Sequence, residues 1–251
     1  MVSVTKRIAQ IKQPRGGYIN LKEFTVIDLQ DNQQLHINEN EPGSIIGLAV
    51  DYLTRFSLGT PSKEAFSISI RGAMLINKYD YALQLLDSIV GLDNESIICT
   101  CKLVGLDVVF RAGPMAYTRP SESISPDEDT ISNIRIMVER SLAFFKEYGP
   151  VIQDGFTFEG GYTNLIHTGD GDFLTRTGLW DFKVAKKVPT KNHTLQLLVY
   201  YLMGLHSIHD EFKGIKQLGI FNPRFNKVYL LNIDSISEEI ISQVSKEVIG
   251  Y

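Results

Sequence analysis

The order of hydrophobic patterns in the second half of the chain is the feature that most constrains its fold. A stretch with apolar residues at helical spacing is followed there by three strand-like stretches, a second helical stretch, two more strand-like stretches and a closing helix. The predicted bounds are 125–149, then 151–158, 161–168 and 173–184, then 194–208, then 214–222 and 227–233, and finally 235–248. This succession predicts a mixed central sheet flanked by helices, and hence an α/β fold.

Turn and capping residues set the boundaries of two of these elements. Ser125 is the predicted N-cap of the first helix, because proline follows it and Glu128 stands three residues after it. Between the second and third strands, the stretch 169–172 reads Gly-Asp-Gly-Asp, which is typical of a hairpin turn. That turn explains Asp170 and Asp172 better than a calcium loop does, because the stretch is short and lacks a distal glutamate.

The first 125 residues differ from the rest in being mostly helical. Strand-like stretches at 18–29 and 34–37 are followed by three helical stretches at 44–56, 63–76 and 80–90. Residues 1–15 carry four bases and no acid, which is typical of a solvated helix packed on the body, with a phosphate-contacting arm as the alternative. We therefore expect an elaboration over residues 1–125, packed on a core domain over residues 126–251.

Composition excludes several classes of protein. The chain has 29 acidic and 25 basic residues, so nucleic-acid contact requires a local basic patch rather than bulk positive charge. Cys99 and Cys101 are the only cysteines, too few for a four-cysteine zinc or iron–sulfur site. No secretory leader is visible, and the longest nearly apolar stretch, 195–205, is about half a membrane span. We expect a cytoplasmic protein with no membrane partner.

Two short motifs bring chemically active side chains together. Asp181 and Lys183 are two residues apart in a predicted strand, so their side chains point to the same face of the sheet. Gln196 and Tyr200 are four residues apart in the next helix and share one helical face. The structural alternatives are an ordinary surface ion pair for the first two residues and a core-capping position for the other two.

The combination of these motifs resembles the PD-(D/E)xK nuclease superfamily. The resemblance covers residues of about 127–233, where Asp-x-Lys follows a hairpin and Gln-x-x-x-Tyr lies on the next helix. Within the superfamily, the chain most resembles the RecB-like branch, which includes lambda exonuclease and CRISPR-associated exonucleases. It implies a restriction-endonuclease-like core and hydrolysis of DNA phosphodiester bonds that depends on Mg²⁺ or Mn²⁺, without an iron–sulfur cluster.

The resemblance also assigns roles to the four motif residues. Asp181 is implied to be a metal ligand, with the Phe182 carbonyl as a further ligand, because hard cations prefer oxygen. Lys183 is implied to position the attacking water or to stabilise charge that develops on the phosphate. Gln196 and Tyr200 are implied to orient the site or to hold the nucleic-acid backbone.

One position departs from the family pattern. The family carries a metal-binding aspartate in a Gly-x-x-Asp setting on the strand before the hairpin, and the aligned stretch here is Gly161-Tyr-Thr-Asn164. Asn164 supplies a carbonyl oxygen without negative charge. The acids considered in its place are Glu159, Asp172 and, as the preferred one, Glu139, whose alternative role is that of a solvated helix residue. The readings are a weak working site, a site with another acid, or an inactive nuclease fold.

Several bases close to the Asp-x-Lys motif are candidates for nucleic-acid contact. They are Arg176, Lys186, Lys187 and Lys191, together with His193, and a solvated loop is their structural alternative. The preferred function is a metal-dependent deoxyribonuclease with DNA as its partner. The second reading is an inactive nuclease-fold protein that binds nucleic acid or a protein, in a phage-defence or mobile-element setting. The third is an α/β protein of another function. The sequence does not decide whether the protein forms a homo-oligomer.

Overall fold

The structure is a computed structural model that describes residues 1–251 and divides into two units. The first unit comprises Met1–Gln30 and Phe144–Tyr251, and the second comprises Asp31–Ala143. The first unit contains all the strands, and the second is helical. None of the helices combines the length and apolar character needed to cross a bilayer.

The secondary structure follows the predicted alternation of helices and strands. The strands are β1 (Thr25–Asp28), β2 (Val151–Phe156), β3 (Gly171–Thr175), β4 (Gly178–Phe182), β5 (Gln217–Asn222) and β6 (Lys227–Asn232). The helices are α1 (Val4–Gln10), α2 (Gly43–Ser57), α3 (Ser62–Ala65), α4 (Ser67–Leu75), α5 (Tyr79–Asp87), α6 (Asn94–Val104), α7 (Asp107–Ala112), α8 (Glu128–Tyr148), α9 (Lys191–Leu205) and α10 (Glu238–Val244). A π-helical turn, Ser245–Ile249, follows α10.

The six strands form one mixed sheet in the order β1-β6-β5-β4-β3-β2. Strands β4 and β5 are parallel, and every other neighbouring pair is antiparallel. The parallel pair requires a crossover connection, which α9 supplies. The prediction of an α/β fold with a mixed central sheet is therefore confirmed.

The two faces of the sheet have separate cores. On one face, Leu174, Leu179 and Ile220 pack with residues of α9 and α1 in a cluster of mainly aliphatic side chains. On the other face, Phe173, Trp180 and other aromatic residues pack with the last residues of α8. Successive residues of β4 alternate between the two clusters, as the pleat of a strand requires.

A close approach between β4 and β5 fixes the position of Trp180. A Cβ atom at Gly219 would lie 2.1 Å from the indole ring, so only glycine leaves room for the ring to cover β5 there. The indole Nε1 donates a hydrogen bond to Thr175 Oγ1 at 3.0 Å, which satisfies its one polar group. This packing holds β4 in place from the face opposite α9.

The second unit is built from α2 to α7 and the part of α8 up to Ala143. Its buried Asp107 accepts hydrogen bonds from the hydroxyls of Tyr52, at 2.6 Å, and Ser69. Arg140 donates two hydrogen bonds to Asp31, at 2.6 and 2.9 Å. These contacts pair the buried side chains of Asp107 and Arg140 within the unit.

Four local predictions are wrong. Residues 34–37 do not form a strand and lie in an irregular stretch between β1 and α2. Residues 161–168 do not form a strand; the stretch between β2 and β3 is irregular, and Thr168 alone makes an isolated bridge, to Ser3. The hairpin turn lies at Arg176 and Thr177, because β3 already begins at Gly171. The N-cap of α8 is Asp127 rather than Ser125, since the Asp127 carboxylate accepts the backbone N–H of Thr130 at 2.8 Å.

The two units do not coincide with the predicted division after residue 125. Residues 1–30 belong with the sheet, because β1 pairs with β6 and α1 contributes Val4 and Ile8 to the same core as α9. Pairing between such distant parts of the chain leaves no local pattern in the sequence.

Candidate active site

Asp181 and Lys183 lie at the carboxyl end of β4, next to the carboxyl end of the parallel strand β5. Asp181 alternates with Trp180 and Phe182 and therefore shares the face of Leu179, which is the face covered by α9. The backbone N–H of Lys183 donates to the Phe221 carbonyl at 2.9 Å, so the ladder with β5 continues for one residue beyond β4. Both side chains are thereby directed to the same face.

The two charged groups form a buried ion pair. Lys183 Nζ donates a hydrogen bond to Asp181 Oδ1 at 2.9 Å, and it also lies 2.9 Å from Oδ2. The side chain of Asp181 is 3% exposed and that of Lys183 is 25% exposed. Oδ2 is buried and has no hydrogen-bond donor beyond this contact with the Lys183 ammonium.

Burial raises the pKa of Asp181 to about 6, the positive charge of Lys183 opposes this rise, and the negative charge of Asp172 adds to it. A carboxyl group with such a pKa titrates just below neutral pH. Perturbed groups of this kind occur preferentially at functional sites, although structural ion pairs also produce them.

Asp172 lies across from Asp181 on the neighbouring strand. In the β3–β4 pair, Phe173 is opposite Trp180, and extending that register by one residue places Asp172 opposite Asp181. The backbone N–H of Phe182 donates to Asp172 Oδ2 at 2.7 Å, which ties this carboxylate to the end of β4. Two carboxylates therefore stand on the same face of adjacent strands.

Gln196 and Tyr200 of α9 cover this pair of strands. Gln196 Nε2 donates a hydrogen bond to the Tyr200 hydroxyl at 2.7 Å, as their spacing of one helical turn predicts. Burial raises the pKa of Tyr200 well above its usual value, and the charges of Asp181 and Asp172 raise it further. The acidic charges thus act on one tyrosine hydroxyl inside the protein.

A cavity of about 320 Å³ opens beside Lys183. Its walls are formed by Asn192, His193 and Gln196 of α9 and by Thr5 and Ile8 of α1. This volume lies at the lower end of the range found for small-molecule sites. The cavity gives the Lys183 ammonium an approach from solvent, whereas Asp181 lies behind it.

His193 is held in a defined orientation at the rim of this cavity. Its Nδ1 accepts the backbone N–H of Thr190 at 3.1 Å, within a reciprocal cap at the start of α9. Burial lowers the pKa of His193, and the positive charge of Lys183 lowers it further. In the neutral ring the proton therefore resides on Nε2, since Nδ1 acts as the acceptor.

The two aspartates fit a hard divalent cation that is completed by water and phosphate. Asp181 offers a buried oxygen with no hydrogen bond beyond its contact with the Lys183 ammonium, and Asp172 adds a second carboxylate from the next strand. No three His, Cys, Asp or Glu side chains cluster closely enough to hold a metal ion by themselves. Magnesium is often held by one or two carboxylates together with substrate oxygens, so two carboxylates suit that ion.

The other residues predicted as acidic or amide ligands have environments of their own. Asn164 is exposed in the irregular stretch between β2 and β3. Glu139 falls in the second unit, where it is exposed and accepts a hydrogen bond from Gln33 at 3.1 Å. Glu159 pairs with His209 at 2.9 Å, and this hydrogen bond chiefly lowers the pKa of Glu159 to about 2.

The predicted basic residues separate into two groups. Lys186 and Lys187 follow Lys183 at the carboxyl end of β4, and Lys191 begins α9 beside the cavity-lining Asn192. Arg176 lies in the β3–β4 turn, at the opposite end of β4. A separate open cavity of about 570 Å³ lies at that opposite end, between Thr177 and Lys216. Arg176 therefore does not join the candidate active site.

The most informative residue that sequence reasoning ranked too low is Asp172, which it considered only as a substitute for Asn164, behind Glu139. Because the hairpin is formed by β3 and β4, its first strand is β3, and a Gly-x-x-Asp stretch, Gly169-Asp-Gly-Asp172, lies at the start of that strand. The sequence carried this motif, but it was assigned to the turn. Thr5 and Ile8 were also missed, since no local pattern links them to α9.

Comparison with protein-family models, with curated proteins and with solved structures finds no match to this chain.

Proposed function

We propose that the protein is a metal-dependent nuclease that hydrolyses DNA phosphodiester bonds. Its proposed active site lies at the β3–β4 hairpin. The observation that carries the proposal is the buried carboxylate of Asp181, whose two oxygens both contact the Lys183 ammonium and which faces Asp172 across the two strands. Buried charge of this kind is costly, and a functional role accounts for its retention.

Each side chain has a role in this proposal. Asp172 and Asp181, with the Phe182 carbonyl, would hold Mg²⁺ or Mn²⁺, and the ion would supply a nucleophilic water and neutralise phosphate charge. Lys183 stands at the cavity, where its ammonium can contact a phosphate oxygen or the attacking water. Gln196 and Tyr200 fix the wall that α9 places over the carboxylates.

The resemblance to PD-(D/E)xK nucleases is strengthened by two features of the fold. The order of α8, β2, β3, β4, α9 and β5 is the helix, three strands, helix and strand to which the motif belongs. The Gly-x-x-Asp element is occupied by Asp172 on β3, so the departure at Asn164 no longer weakens the proposed site. A restriction-endonuclease-like core is accordingly the fold that we propose for the first unit.

A second candidate is a nuclease-fold protein that binds nucleic acid without cleaving it. It is favoured by one observation, the absence of a cluster of three ligating side chains that would hold a metal ion unaided. Both candidate functions use the basic residues around the cavity to bind nucleic acid. They differ in whether the protein cleaves that nucleic acid when a metal ion is bound.

A cleavage assay with matched variants tests the proposal. Labelled linear and circular DNA is incubated with the protein in Mg²⁺, in Mn²⁺ and in EDTA. We expect cleavage with either ion, none in EDTA, and loss of cleavage in Asp172→Asn, Asp181→Asn and Lys183→Met. The matched controls are Asp234→Asn and Lys216→Met at the other end of the sheet, which line the separate cavity and should leave cleavage unchanged.

Two results would contradict the proposal. Cleavage that survives in Asp181→Asn and in Lys183→Met would place the activity elsewhere. Intact DNA in every condition, with salt-dependent binding retained, would favour the second candidate instead.

A further inference from the structure

Two segments that lie far apart in the chain pack together beside the cavity. Gln13 Nε2 donates to Asn192 Oδ1 at 2.7 Å, and Thr194 Oγ1 donates to the Ile19 carbonyl at 2.8 Å. At Gly17, whose φ is +95°, a Cβ atom would lie 2.8 Å from the Cβ of Lys191. The residues that follow α1 therefore lie directly against the first turn of α9.

Both segments are basic and neither contains an acid. Residues 1–22 contain five lysines and arginines, and residues 183–193 contain four. The rest of the chain carries 16 bases against 29 acids, so positive charge is concentrated in this part of an otherwise acidic protein. Such a local field attracts polyanions even when the net charge is negative.

The bases divide into structural and exposed ones. Arg7 donates to the carbonyls of Glu247 and Val248, at 2.7 and 2.9 Å, and Lys183 contacts Asp181. Lys12 and Arg15 in the first segment and Lys187 and Lys191 in the second are exposed. Exposed bases on packed segments are available to phosphates without rearrangement of the core.

We propose that residues 1–22 and 183–193 form one surface, the basic surface, which binds the phosphate backbone of a nucleic-acid strand and leads it to the cavity. This inference rests on the proposed function and extends the nucleic-acid contact to Lys12 and Arg15, outside the stretch that resembles nucleases. Continuity with the cavity supports it, because α1 supplies Thr5 and Ile8 to one wall and α9 supplies Asn192 and His193 to another.

A lipid surface fits this region less well. An interfacial helix requires an exposed apolar face, whereas the apolar residues Val4 and Ile8 of α1 are buried in the core. Phosphates on a nucleic acid need only exposed bases that follow the backbone.

The test is a binding measurement that does not depend on cleavage. Fluorescence anisotropy is recorded in EDTA with a labelled DNA duplex that carries a single-stranded overhang. The test variant is Lys12→Glu with Arg15→Glu, and the control is Lys213→Glu with Lys216→Glu, which makes the same change in charge at the other end of the sheet. All four residues are exposed, and circular dichroism confirms folding. Lys12→Gln with Arg15→Gln serves as a milder second variant.

We expect the test variant to bind about tenfold or more weakly and to lower the slope of log K against log salt by roughly 1–2. The control should bind within about threefold of the wild type. Equal loss in both pairs would show an effect of net charge alone and would overturn the basic surface. Unchanged binding in the test variant, or Lys12- and Arg15-dependent binding to anionic vesicles but not to DNA, would overturn it as well.

The two proposals fail in different ways. If cleavage depends on Asp181 and Lys183 but DNA binding ignores Lys12 and Arg15, only the basic surface is wrong. If DNA binding depends on Lys12 and Arg15 but no cleavage occurs with either metal ion, only the nuclease proposal is wrong.

Discussion

The two faces of the sheet carry different chemistry, although the same strands build both. On the α8 face, Phe173, Trp180 and Phe182 pack with Phe144 and Phe221, and Trp180 makes its one hydrogen bond. On the α9 face, the alternate positions of β3 and β4 carry Asp172 and Asp181 next to leucines. One face is packed with aromatic side chains, and the other retains a buried ion pair between Asp181 and Lys183.

This difference separates stability from function within a single sheet. Replacing a buried ion pair by apolar residues is often neutral or stabilising, so the α9 face is not optimised for stability. The aromatic face supplies the packing that holds β4, and the α9 face uses β4 to present Asp181. Variants on the two faces should therefore have opposite consequences for activity and for the free energy of unfolding.

The largest expected effect is on activity and comes from the α9 face. If the proposed function holds, Asp181→Asn or Lys183→Met should lower the cleavage rate by about 10³-fold or more, because each removes a group that would act on the reacting phosphate. Phe221→Leu on the aromatic face should keep most of the activity. Rates are measured under single-turnover conditions, and similar losses in all three variants would remove the distinction between the faces.

A large effect on stability should come from the aromatic face. Phe144 is fully buried and stacks on Phe221 with ring centroids 4.4 Å apart. Phe144→Ala should lower the free energy of unfolding by about 3–4 kcal/mol through lost packing and the cavity that it leaves. Urea unfolding followed by fluorescence of the only tryptophan, Trp180, reports on this core directly. A loss below about 1 kcal/mol would contradict the packing described.

A pH-dependent gain in stability is expected when the buried charge is removed. The pKa of Asp181 in the folded state, about 6, lies above the ordinary value of 3.8. The folded protein therefore binds the proton more tightly, and the stability that this proton contributes is lost as pH rises from about 4 through 6. Asp181→Asn should be about 1–3 kcal/mol more stable than the wild type at pH 8 and nearly equal at pH 4. A gain that does not change with pH would have another cause.

A smaller effect is expected from the hydrogen bond on α9. Tyr200→Phe removes the acceptor of Gln196 Nε2 and should lower the free energy of unfolding by about 0.5–1.5 kcal/mol. Tyr201→Phe is the matched control, because Tyr201 lies on the same helix and is less buried. It should lower the free energy of unfolding by less than Tyr200→Phe does. Thermal unfolding of both variants decides this, and equal losses would show that the Gln196 contact contributes little.

The smallest effect is expected at Asn164. Because this residue is exposed in the irregular stretch before β3, Asn164→Asp should change the free energy of unfolding by less than about 0.5 kcal/mol. It should leave cleavage unchanged. A marked gain in activity would restore the role that the sequence pattern first gave to this position.

Hydrophobic periodicity in the sequence predicted individual helices and strands, but not how distant strands pair. The helix with Gln196 and Tyr200 has strong periodicity, and the structure has it within three residues of the predicted bounds. Asp181 does lie in a strand, but the single strand predicted over 173–184 is divided into part of β3, the turn and β4. Within the first unit, the strand order beyond this hairpin follows from pairing between distant segments. β1 lies next to β6, about two hundred positions later in the chain, and no sequence pattern encodes that register.

The misassigned strand at 161–168 has a specific physical cause. Thr163 Oγ1 donates to the Ile249 carbonyl, and the Tyr162 hydroxyl donates to the Gly169 carbonyl, so side chains rather than a ladder hold this stretch. The stretch has the alternation of polar and apolar residues that is typical of a strand, but it does not pair with a neighbouring strand. This error moved the predicted hairpin upstream, and with it the position that was aligned with the family's metal-binding aspartate.

The most direct test of the central claim is a Mn²⁺ titration by isothermal calorimetry at neutral pH. It compares the wild type with Asp172→Asn and Asp181→Asn, and uses Asp234→Asn as the control. We expect saturable binding in the wild type and in the control, and binding at least about tenfold weaker in each of the other variants. Equal Mn²⁺ affinity in all four proteins, or no binding in the wild type, would contradict a metal site shared by these two aspartates.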